Sequence, residues 1–438
     1  MSRYRSLTHL SFALIAALSL QPFAHAATLT LSEALDAVDR TSITVLLSRE
    51  AAVQAIAASQ QQRAALMPNI NLNASQNRSS SASFSNGNVT QNSPTNRFSG
   101  TLNATLNLLD AQNIASYSAS KIAINVAELD VNVARETVTT TVAQTYFQHL
   151  RNLRRIAVLD ANIARAKALL ELAKTRAETG VATQIDVTRA EAVLATAEQA
   201  RLQQETVVQS SELNLKQLLD LDLNEPLTLV DFTVRRVEAP TYAASLEQTA
   251  FERRYDYLRA LRLLEQNQLE VKAAKFDRLP SVSVTGNVGL ASEVVFDDDN
   301  ADTWAGGVSL SMPIFDSGRV RNLTNIALSR LRAQELRVRN IRLQIGAEVR
   351  LASQDARSRF AQVAVAERSL RLAEDELALA QRRFEQGVAD NREVIDAQNS
   401  LAVASDNVVE AIYQYNLSRV TLARTSGDVR MVLNEQNN

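Results

Sequence analysis

The chain has 438 residues, a formal net charge of −2 and only 5% aromatic residues. It contains no cysteine, which excludes disulfides, thiolate metal sites and a lipid-bearing cysteine. With no long block of one charge, nucleic acid is not an expected partner. Of the three histidines only His149 lies beyond the first 26 residues, so one mature chain cannot build a histidine-based metal or catalytic cluster, and no cofactor is expected.

Residues 1–26 are predicted to be a signal peptide. Arg3 and Arg5 form a basic start, an apolar run extends from Leu10 to Leu20, and Ala24-His25-Ala26 fits a small-x-small cleavage site. The apolar run is too short to span a bilayer stably. The chain is therefore expected to be exported, and its mature part is expected to contain no transmembrane helix.

The first predicted repeat, residues 27–218, begins with a helix and a β-hairpin. Thr30 and Glu33 form a capping-box pattern at the start of the helix. Between residues 68 and 109 the stretches NINLNAS and TLNATLNLLD alternate polar and apolar side chains. This alternation predicts two strands, joined by a polar loop at 84–97.

A long helical hairpin is predicted next. The helical pattern is nearly uninterrupted from Ala111 to Ala177, which corresponds to about 100 Å. Apolar residues recur every seven positions with small residues three positions later, so these helices are expected to pack as coiled coils in a rod. Gly180 interrupts the pattern and is expected to form the turn, because glycine adopts a positive φ without steric cost. Residues 219–242 lose the heptad and predict a small mixed α/β segment.

The second repeat, residues 243–427, copies the first with an offset of 207 residues. TRAETGVATQIDVTRAEAVLATAE at 175–198 matches RRFEQGVADNREVIDAQNSLAVAS at 382–405, and Gly387 aligns with Gly180. Two unrelated coiled-coil hairpins are the alternative, which the shared register and the matched strands weaken.

The second predicted hairpin, 280–315, alternates like the first, with a polar loop at 292–303, and residues 428–438 form a C-terminal tail. In an exported chain such strands fit an outer-membrane barrel, and the edge of a soluble sandwich is the alternative. Four strands cannot close a barrel, so several chains would have to share it. An interfacial belt is then expected from Phe84, Phe98, Phe296 and Trp304.

Two acidic groups are candidates for ion binding. Glu393 and Asp396 are three positions apart and lie on nearly one face of the helix after Gly387. Such a pair also complements the positive end of a helix dipole, and the residues alone leave both interpretations open. The spaced carboxylates of DDDNAD, 297–302, suit a divalent cation or simply a solvated loop.

In these features the chain resembles the outer membrane efflux proteins, the TolC-like channels. The resemblance covers essentially the whole mature chain and rests on TLSEALDAV, LMPNINL, LPSVSV and MPIFDSGR, and on the paired tips RAETGVATQIDV and RFEQGVADNREVI. It implies an α+β, mainly α fold. In a homotrimer, three internally duplicated chains would share a 12-stranded outer-membrane β-barrel, continued by a long periplasmic α-helical coiled-coil barrel.

The resemblance also implies a function. The chain would be a passive conduit of a tripartite export system, for drug and small-molecule efflux or for type I protein secretion. Its partners would be a periplasmic adaptor (a membrane fusion protein), an inner-membrane pump of the RND, ABC or MFS type, and outer-membrane lipid. The alternative is a periplasmic coiled-coil adaptor without a barrel. An enzyme is not expected, because no nucleophile–base pair, phosphate loop or metal cluster is present in the sequence.

The resemblance finally assigns roles to the two tips. Glu393 and Asp396 would form acidic rings at the periplasmic gate, which attract cations and repel anions. The first repeat has Asp186 and Arg189 at the matching positions, so only the second hairpin would line the gate. The surface that docks the adaptor would comprise Gly180, Val181, Ala182, Gly387, Val388 and Ala389.

One departure from the family concerns the closed gate. Some members hold it with a tyrosine and an arginine near the second tip, where this chain has Phe384 and Ala389. Neither side chain can make those hydrogen bonds. Arg382, Arg383 and Arg392 are nearby substitutes, so the resemblance leaves the closed-state contacts unassigned.

Overall fold

The computed structural model describes residues 28–85, 87–91, 93–230, 244–295 and 299–434. The predicted signal peptide, the whole second half of segment 219–242, the start of the DDDNAD loop and the side chains of Phe84 and Phe296 lie outside the description. No helix in the described ranges combines the length and apolar character needed to cross a bilayer.

Most of the described chain is helical. The first part contains, in chain order, β1 (Thr28–Leu29), α1 (Leu31–Thr41), α2 (Ile43–Ala64), β2 (Asn69–Ser79), β3 (Ala82–Ser85), β4 (Asn88–Gln91), β5 (Thr95–Leu109), α3 (Ala111–Glu178) and α4 (Gln184–Leu219). The second part contains β6 (Thr228–Leu229), α5 (Ala244–Arg253), α6 (Tyr255–Phe276), β7 (Ser281–Ser292), β8 (Ala301–Ser311), α7 (Arg319–Glu385), α8 (Asn391–Ser426) and α9 (Met431–Asn434). With 68 and 67 residues, α3 and α7 are each about 100 Å long.

Polar side chains cap the N-termini of α1, α3 and α7. The hydroxyl of Thr30 accepts a hydrogen bond from the Glu33 amide at 3.2 Å, and the Glu33 carboxylate accepts one from the Thr30 amide at 2.9 Å. Asp110 caps α3 by accepting from the amide of Asn113 at 2.9 Å. Asp316 accepts from the amide of Val320 at 2.8 Å and so opens α7. These bonds satisfy amides that lack a partner within their own helix.

The four longer strands form one antiparallel sheet in the order β2-β5-β7-β8. The central pair β5 and β7 joins the two repeats, while β2 and β8 each keep one edge that pairs with no other described strand. The predicted loop 84–97 is in part wrong: β3 and β4 form a separate ribbon there, and β5 begins at Thr95. Gly87, with a φ of +81°, makes the tight turn that lets this ribbon form.

One lateral order recurs at three levels of the chain. In the sheet it is β2-β5-β7-β8. Next to the sheet, α2 packs on α3, α3 on α6 and α6 on α7; towards the far end, α4 packs on α3, α3 on α8 and α8 on α7. The protomer is therefore a layer four elements wide. Its first edge consists of β2, α2 and α4, and its second edge of β8 and α7.

A buried cluster near the middle of the rod ties the short elements to the long helices. Leu35, Val142 and Leu215 are fully buried in it. The Tyr146 hydroxyl donates to the carbonyls of Leu29 (3.1 Å) and Val230 (2.6 Å), next to the parallel pair β1 and β6. Burial raises the pKa of Tyr146 to about 12. Within the described part of segment 219–242, Thr228–Leu229 form a short strand that pairs with Thr28–Leu29, just after the predicted signal peptide.

Candidate functional site at the helical hairpin tips

The two helical hairpins turn in the same way. Gly180 and Gly387 have φ angles of +76° and +73°. The next amide in each turn bonds back into the preceding helix, Val181 to the Arg176 carbonyl at 2.9 Å and Val388 to the Arg383 carbonyl at 3.0 Å. A Cβ at either glycine would meet no atom within 4 Å. Glycine is therefore favoured by the backbone conformation, not by lack of space.

The surface beyond the glycines is small and apolar. Val181 is 69% exposed and Val388 is 67% exposed. Ala182 and Ala389 follow them and are half-buried. Both tips thus present a largely exposed valine at the predicted adaptor-docking positions.

The return helices α4 and α8 are capped differently, and this difference decides which group the Glu393 carboxylate contacts. In α4 the carboxylate of Asp186 accepts hydrogen bonds from the amide and hydroxyl of Thr183 at 3.0 and 2.7 Å, which lowers the pKa of Asp186. In α8 the capping residue is Asp390, which accepts from the Glu393 amide at 3.3 Å. The backbone amide of Asp390 makes no hydrogen bond to the Glu393 carboxylate, so Glu393 does not close the reciprocal bond of a capping box here. Its carboxylate instead lies 3.4 Å from Nε of Arg383.

Asp396 lies in a different environment from Glu393. It is exposed and faces an open groove between α7 and α8, together with Leu372, Glu376 and Ser400. Its counterpart in the first repeat, Arg189, forms an ion pair of 3.8 Å with Asp186. The structure therefore places both predicted gate acids on the second hairpin. Glu393 lies beside the guanidinium of Arg383, whereas Asp396 is exposed to solvent.

The two tips are held together by contacts that sequence reasoning missed. The Arg176 guanidinium lies over the Phe384 ring, 4.3 Å from its centre, and its Nη2 donates to the Glu385 carbonyl at 2.8 Å. We call these two interactions the Arg176 contact. The Asn391 side chain donates from Nδ2 to the Asp186 carbonyl at 3.1 Å. Each contact joins one hairpin to the other.

An apolar layer supports these contacts, and it agrees with the predicted heptad. Its buried members come from all four helices and include Leu170, Ala173, Val187, Leu377, Ala380, Phe384, Val394 and Leu401. Asn391 is buried beside this layer with 1% exposure. Its Oδ1 has no hydrogen-bond partner among the described residues. An unpaired buried carbonyl costs about 1–3 kcal/mol, so this arrangement of the two tips leaves one polar group unsatisfied.

The duplication contains a signal that could have found Arg176. Arginine stands four residues before the glycine in both copies, as Arg176 and as Arg383. Both arginines bind the second hairpin, one through Phe384 and the other through Glu393. No such signal marks Asn391, because its counterpart is Gln184 and its burial depends on packing between distant segments.

The described residues offer no metal site. No three histidine, aspartate or glutamate side chains in the described ranges lie close enough together to hold an ion. The DDDNAD loop is only partly within those ranges, so the predicted choice between a cation site and a solvated loop stays a prediction.

Comparisons with known proteins find a matching family and several relatives. The outer membrane efflux protein family matches residues 44–220 and 246–428. Outer membrane protein OprJ of Pseudomonas aeruginosa is 26% identical over 317 residues, 69% of this chain and 63% of that protein. Outer membrane protein TolC of Vibrio cholerae is 24% identical over 401 residues, 88% of this chain and 87% of that protein. This chain therefore spans less than two thirds of the length of some of its curated relatives.

A solved structure has the same fold. The Campylobacter jejuni CmeC outer membrane channel superposes with a TM-score of 0.80 at 22% identity, covering 93% of this chain and 89% of that one. The combination of a long helical hairpin pair and a four-stranded sheet is thus shared.

Proposed function

The chain belongs to the outer membrane efflux protein family, and from this premise we propose that it forms the outer-membrane channel of a tripartite export system. The channel lies in the outer membrane and extends into the periplasm. It is a passive conduit for drugs and other small molecules or for secreted protein. A periplasmic adaptor and an inner-membrane pump of the RND, ABC or MFS type open and supply it. Its work involves no covalent step and no cofactor.

The observation that carries this proposal is the pair of unpaired edges. β2 and β8 expose apolar side chains on strands whose outer backbone groups pair with no other described strand, as at Leu72 (75% exposed), Trp304 (82%) and Val308 (72%). Apolar surface of this kind suits lipid, but an open sheet edge in lipid leaves backbone groups unsatisfied. The β2 edge of one chain therefore pairs with the β8 edge of the next, and three copies close the ring.

The helical edges support the same closure. α7 exposes a series of leucines and α2 exposes apolar residues of its own, among them Leu336 (66%), Leu343 (67%) and Leu47 (66%). α2 and α7 are the opposite edges of the layer at the same level. Burying such side chains between chains is worth about 1.5–3 kcal/mol each. The homotrimer is thus stabilised in the periplasm as well as in the membrane.

The gate is proposed at the second hairpin. In a threefold ring three copies of Glu393 and three of Asp396 surround the closed end of the tunnel. Arg383 partly compensates Glu393, at 3.4 Å, whereas Asp396 has no ion-pair partner in the described chain. Asp396 therefore carries more of the attraction for cations. The first hairpin has Arg189 at the same position and contributes no such ring.

The adaptor docks on the tips. Val181 and Val388 are exposed apolar residues at the extreme end of the rod, where small neighbours leave room for a partner helix. The alternative that this chain is itself a periplasmic adaptor has no support, because the family match extends over both repeats and four strands form one sheet.

Cysteine crosslinking tests the closed ring, and the chain has no native cysteine to interfere. Asn71→Cys on β2 is combined in turn with Gly307→Cys, Ser309→Cys or Ser311→Cys on β8, so that three neighbouring registers between chains are sampled. At least one pair is expected to give a crosslinked ladder that stops at three chains in the outer-membrane fraction. The control pairs Asn71→Cys with Asn103→Cys, which face each other within one chain. It stays monomeric.

The proposal is overturned if the ladder continues past three chains, or if the wild-type protein fractionates as a soluble monomer. The assembled trimer must also conduct ions in planar bilayers. A trimer that inserts but never conducts, even with adaptor present, contradicts the role of a conduit.

A further inference from the structure

The half of α7 nearest the sheet carries a row of arginines that has no role in the proposed channel function. Between residues 319 and 359 the sequence has ten arginines and three acidic residues. Five of the arginines are spaced by 11, 7, 11 and 7 positions, which places them within about 20° of each other around a helix of 3.6 residues per turn. We call these five the α7 arginine row: Arg321, Arg332, Arg339, Arg350 and Arg357.

The row is exposed and almost uncompensated. All five side chains are exposed. Arg350 bonds to the Glu247 carboxylate at 3.1 Å. The remaining four have no ion pair or hydrogen bond to any described residue. The row extends for about 54 Å along the rod.

The packing of α7 in the rod does not require these arginines. In α7 the residues that pack inward, such as Ala327, Gln334 and Ile345, lie about a third of a turn away from the row. The matching part of the first repeat, residues 112–152, has three basic and three acidic residues. A helix of the same length and role therefore needs no such charge.

Helix α5 shows which side of the wall the row occupies. It packs on α7 at the level of Arg350, where Arg342 lies 5.3 Å from the centre of the Phe251 ring and Arg350 bonds to Glu247. This step rests on the proposed function: three helices about 10 Å wide inside the tunnel would block a conduit. α5 therefore lies outside, and the row faces the periplasm.

Neither the assembly nor the membrane neutralises the row. The helix that closes the ring beside α7 is α2 of the next chain, which has one acid, Glu50, and two arginines, Arg49 and Arg63. A lipid surface lies across the rod axis, so it reaches only the arginines nearest the sheet. An uncompensated row of like charges repels itself and attracts anions.

We propose that the α7 arginine row binds an extended carboxylate-bearing polymer of the periplasm, the peptide stems of the cell wall. The row is one residue wide and about 54 Å long, which suits a strand of spaced carboxylates better than a compact acidic protein. Guanidinium groups bind carboxylates through paired hydrogen bonds. Binding anchors the tunnel laterally in the wall between the membrane and α5.

Cosedimentation of the detergent-purified trimer with isolated cell-wall sacculi tests this. Arg332→Gln with Arg339→Gln removes two charges from the row. The matched control, Arg330→Gln with Arg337→Gln, removes two exposed charges at the same height on the opposite side of α7. Two exposed ion pairs of ordinary strength correspond to a roughly two- to thirtyfold loss of binding, so the row variant is expected to lose that much and the control to keep its affinity. Added salt must weaken wild-type binding.

Four outcomes overturn the proposal: no loss in the row variant, equal loss in both variants, loss of binding to anionic phospholipid vesicles instead of sacculi, or a change of ion selectivity in bilayers confined to the row variant. The last result would place the row in the lumen. Failure of the proposed channel function is read separately, from the fractionation and conductance of the wild-type trimer.

Discussion

The guanidinium of Arg176 lies 4.3 Å from the centre of the Phe384 ring and joins the tip of the first hairpin to the second. The ring has no polar group, yet it supplies a polar interaction through its π face. A phenylalanine at this position therefore does not remove the link between hairpins; it changes the partner from a hydrogen-bonding side chain to an arginine. The same arginine donates to the Glu385 carbonyl, which fixes its orientation.

Removing this contact is expected to favour the open tunnel. Arg176→Gln loses the cation–π interaction and the charge-assisted bond to Glu385, together worth about 1–3 kcal/mol. The open population then rises by roughly 5- to 150-fold, because each 1.4 kcal/mol is a factor of ten. Single-channel recording in bilayers measures it as longer and more frequent high-conductance events.

Lys174→Gln is the control for Arg176→Gln. It removes a cation two residues away whose recorded ion pair, with Glu171 at 3.6 Å, lies on its own helix. Its gating is expected to match that of the wild type. Equal gating in all three proteins would show that the Arg176 contact does not hold the tips.

The acidic pair is expected to set ion selectivity at the same end. Glu393→Gln with Asp396→Asn removes six charges from a trimer, so cation selectivity and block by divalent cations both decrease. Asp396→Asn alone has the larger share of the effect, because Arg383 already compensates Glu393. Reversal potentials in asymmetric salt measure the change. Glu191→Gln with Glu198→Gln, on exposed positions of α4, serves as the control; an identical shift in that variant would contradict the gate assignment.

The sequence was sufficient for the repeated architecture but not for the contacts between repeats. Heptads, glycines and alternating strands are local patterns, and they predicted α3, α7, the two turns and the four long strands. The lateral order of the layer depends on pairing between β5 and β7, which are far apart in the chain. The partners of Arg176 and Asn391 depend on that order, so no local pattern could reveal them. The ribbon of β3 and β4 was missed because its polar residues resemble a loop.

The tip glycines are expected to be costly to replace. Gly180→Ala and Gly387→Ala each force a side chain into a positive φ, which costs about 1 kcal/mol although the space is empty. Gly306→Ala is the control, because its φ is not positive and no atom lies within 4 Å of the added Cβ. Thermal unfolding of the trimer should shift for the tip variants and not for the control. A similar decrease of the unfolding temperature in all three variants would show that the positive φ at the tips is not the cause of the lost stability.

His149 is expected to make the rod less stable in mild acid. It is buried between α3 and α4, where Nδ1 lies 2.8 Å from the Ser211 hydroxyl. Burial is the main cause that lowers its pKa from 6.5; nearby Lys216 acts in the same direction and Glu212 opposes it. In mild acid the unfolded chain therefore binds a proton at His149 more readily than the folded chain does. This contribution to stability is fully present above pH 6.5 and is lost as the pH falls below that value.

Thermal unfolding of the trimer between pH 7.5 and 5 measures this loss, with His149→Gln as the comparison. Glutamine keeps a polar group for Ser211 but has no proton to gain, so its curve is expected to be flatter over this interval. His149 is the only histidine after the predicted signal peptide, so no other imidazole contributes. Wild-type and variant curves with the same slope would show that protonation of His149 does not govern the response.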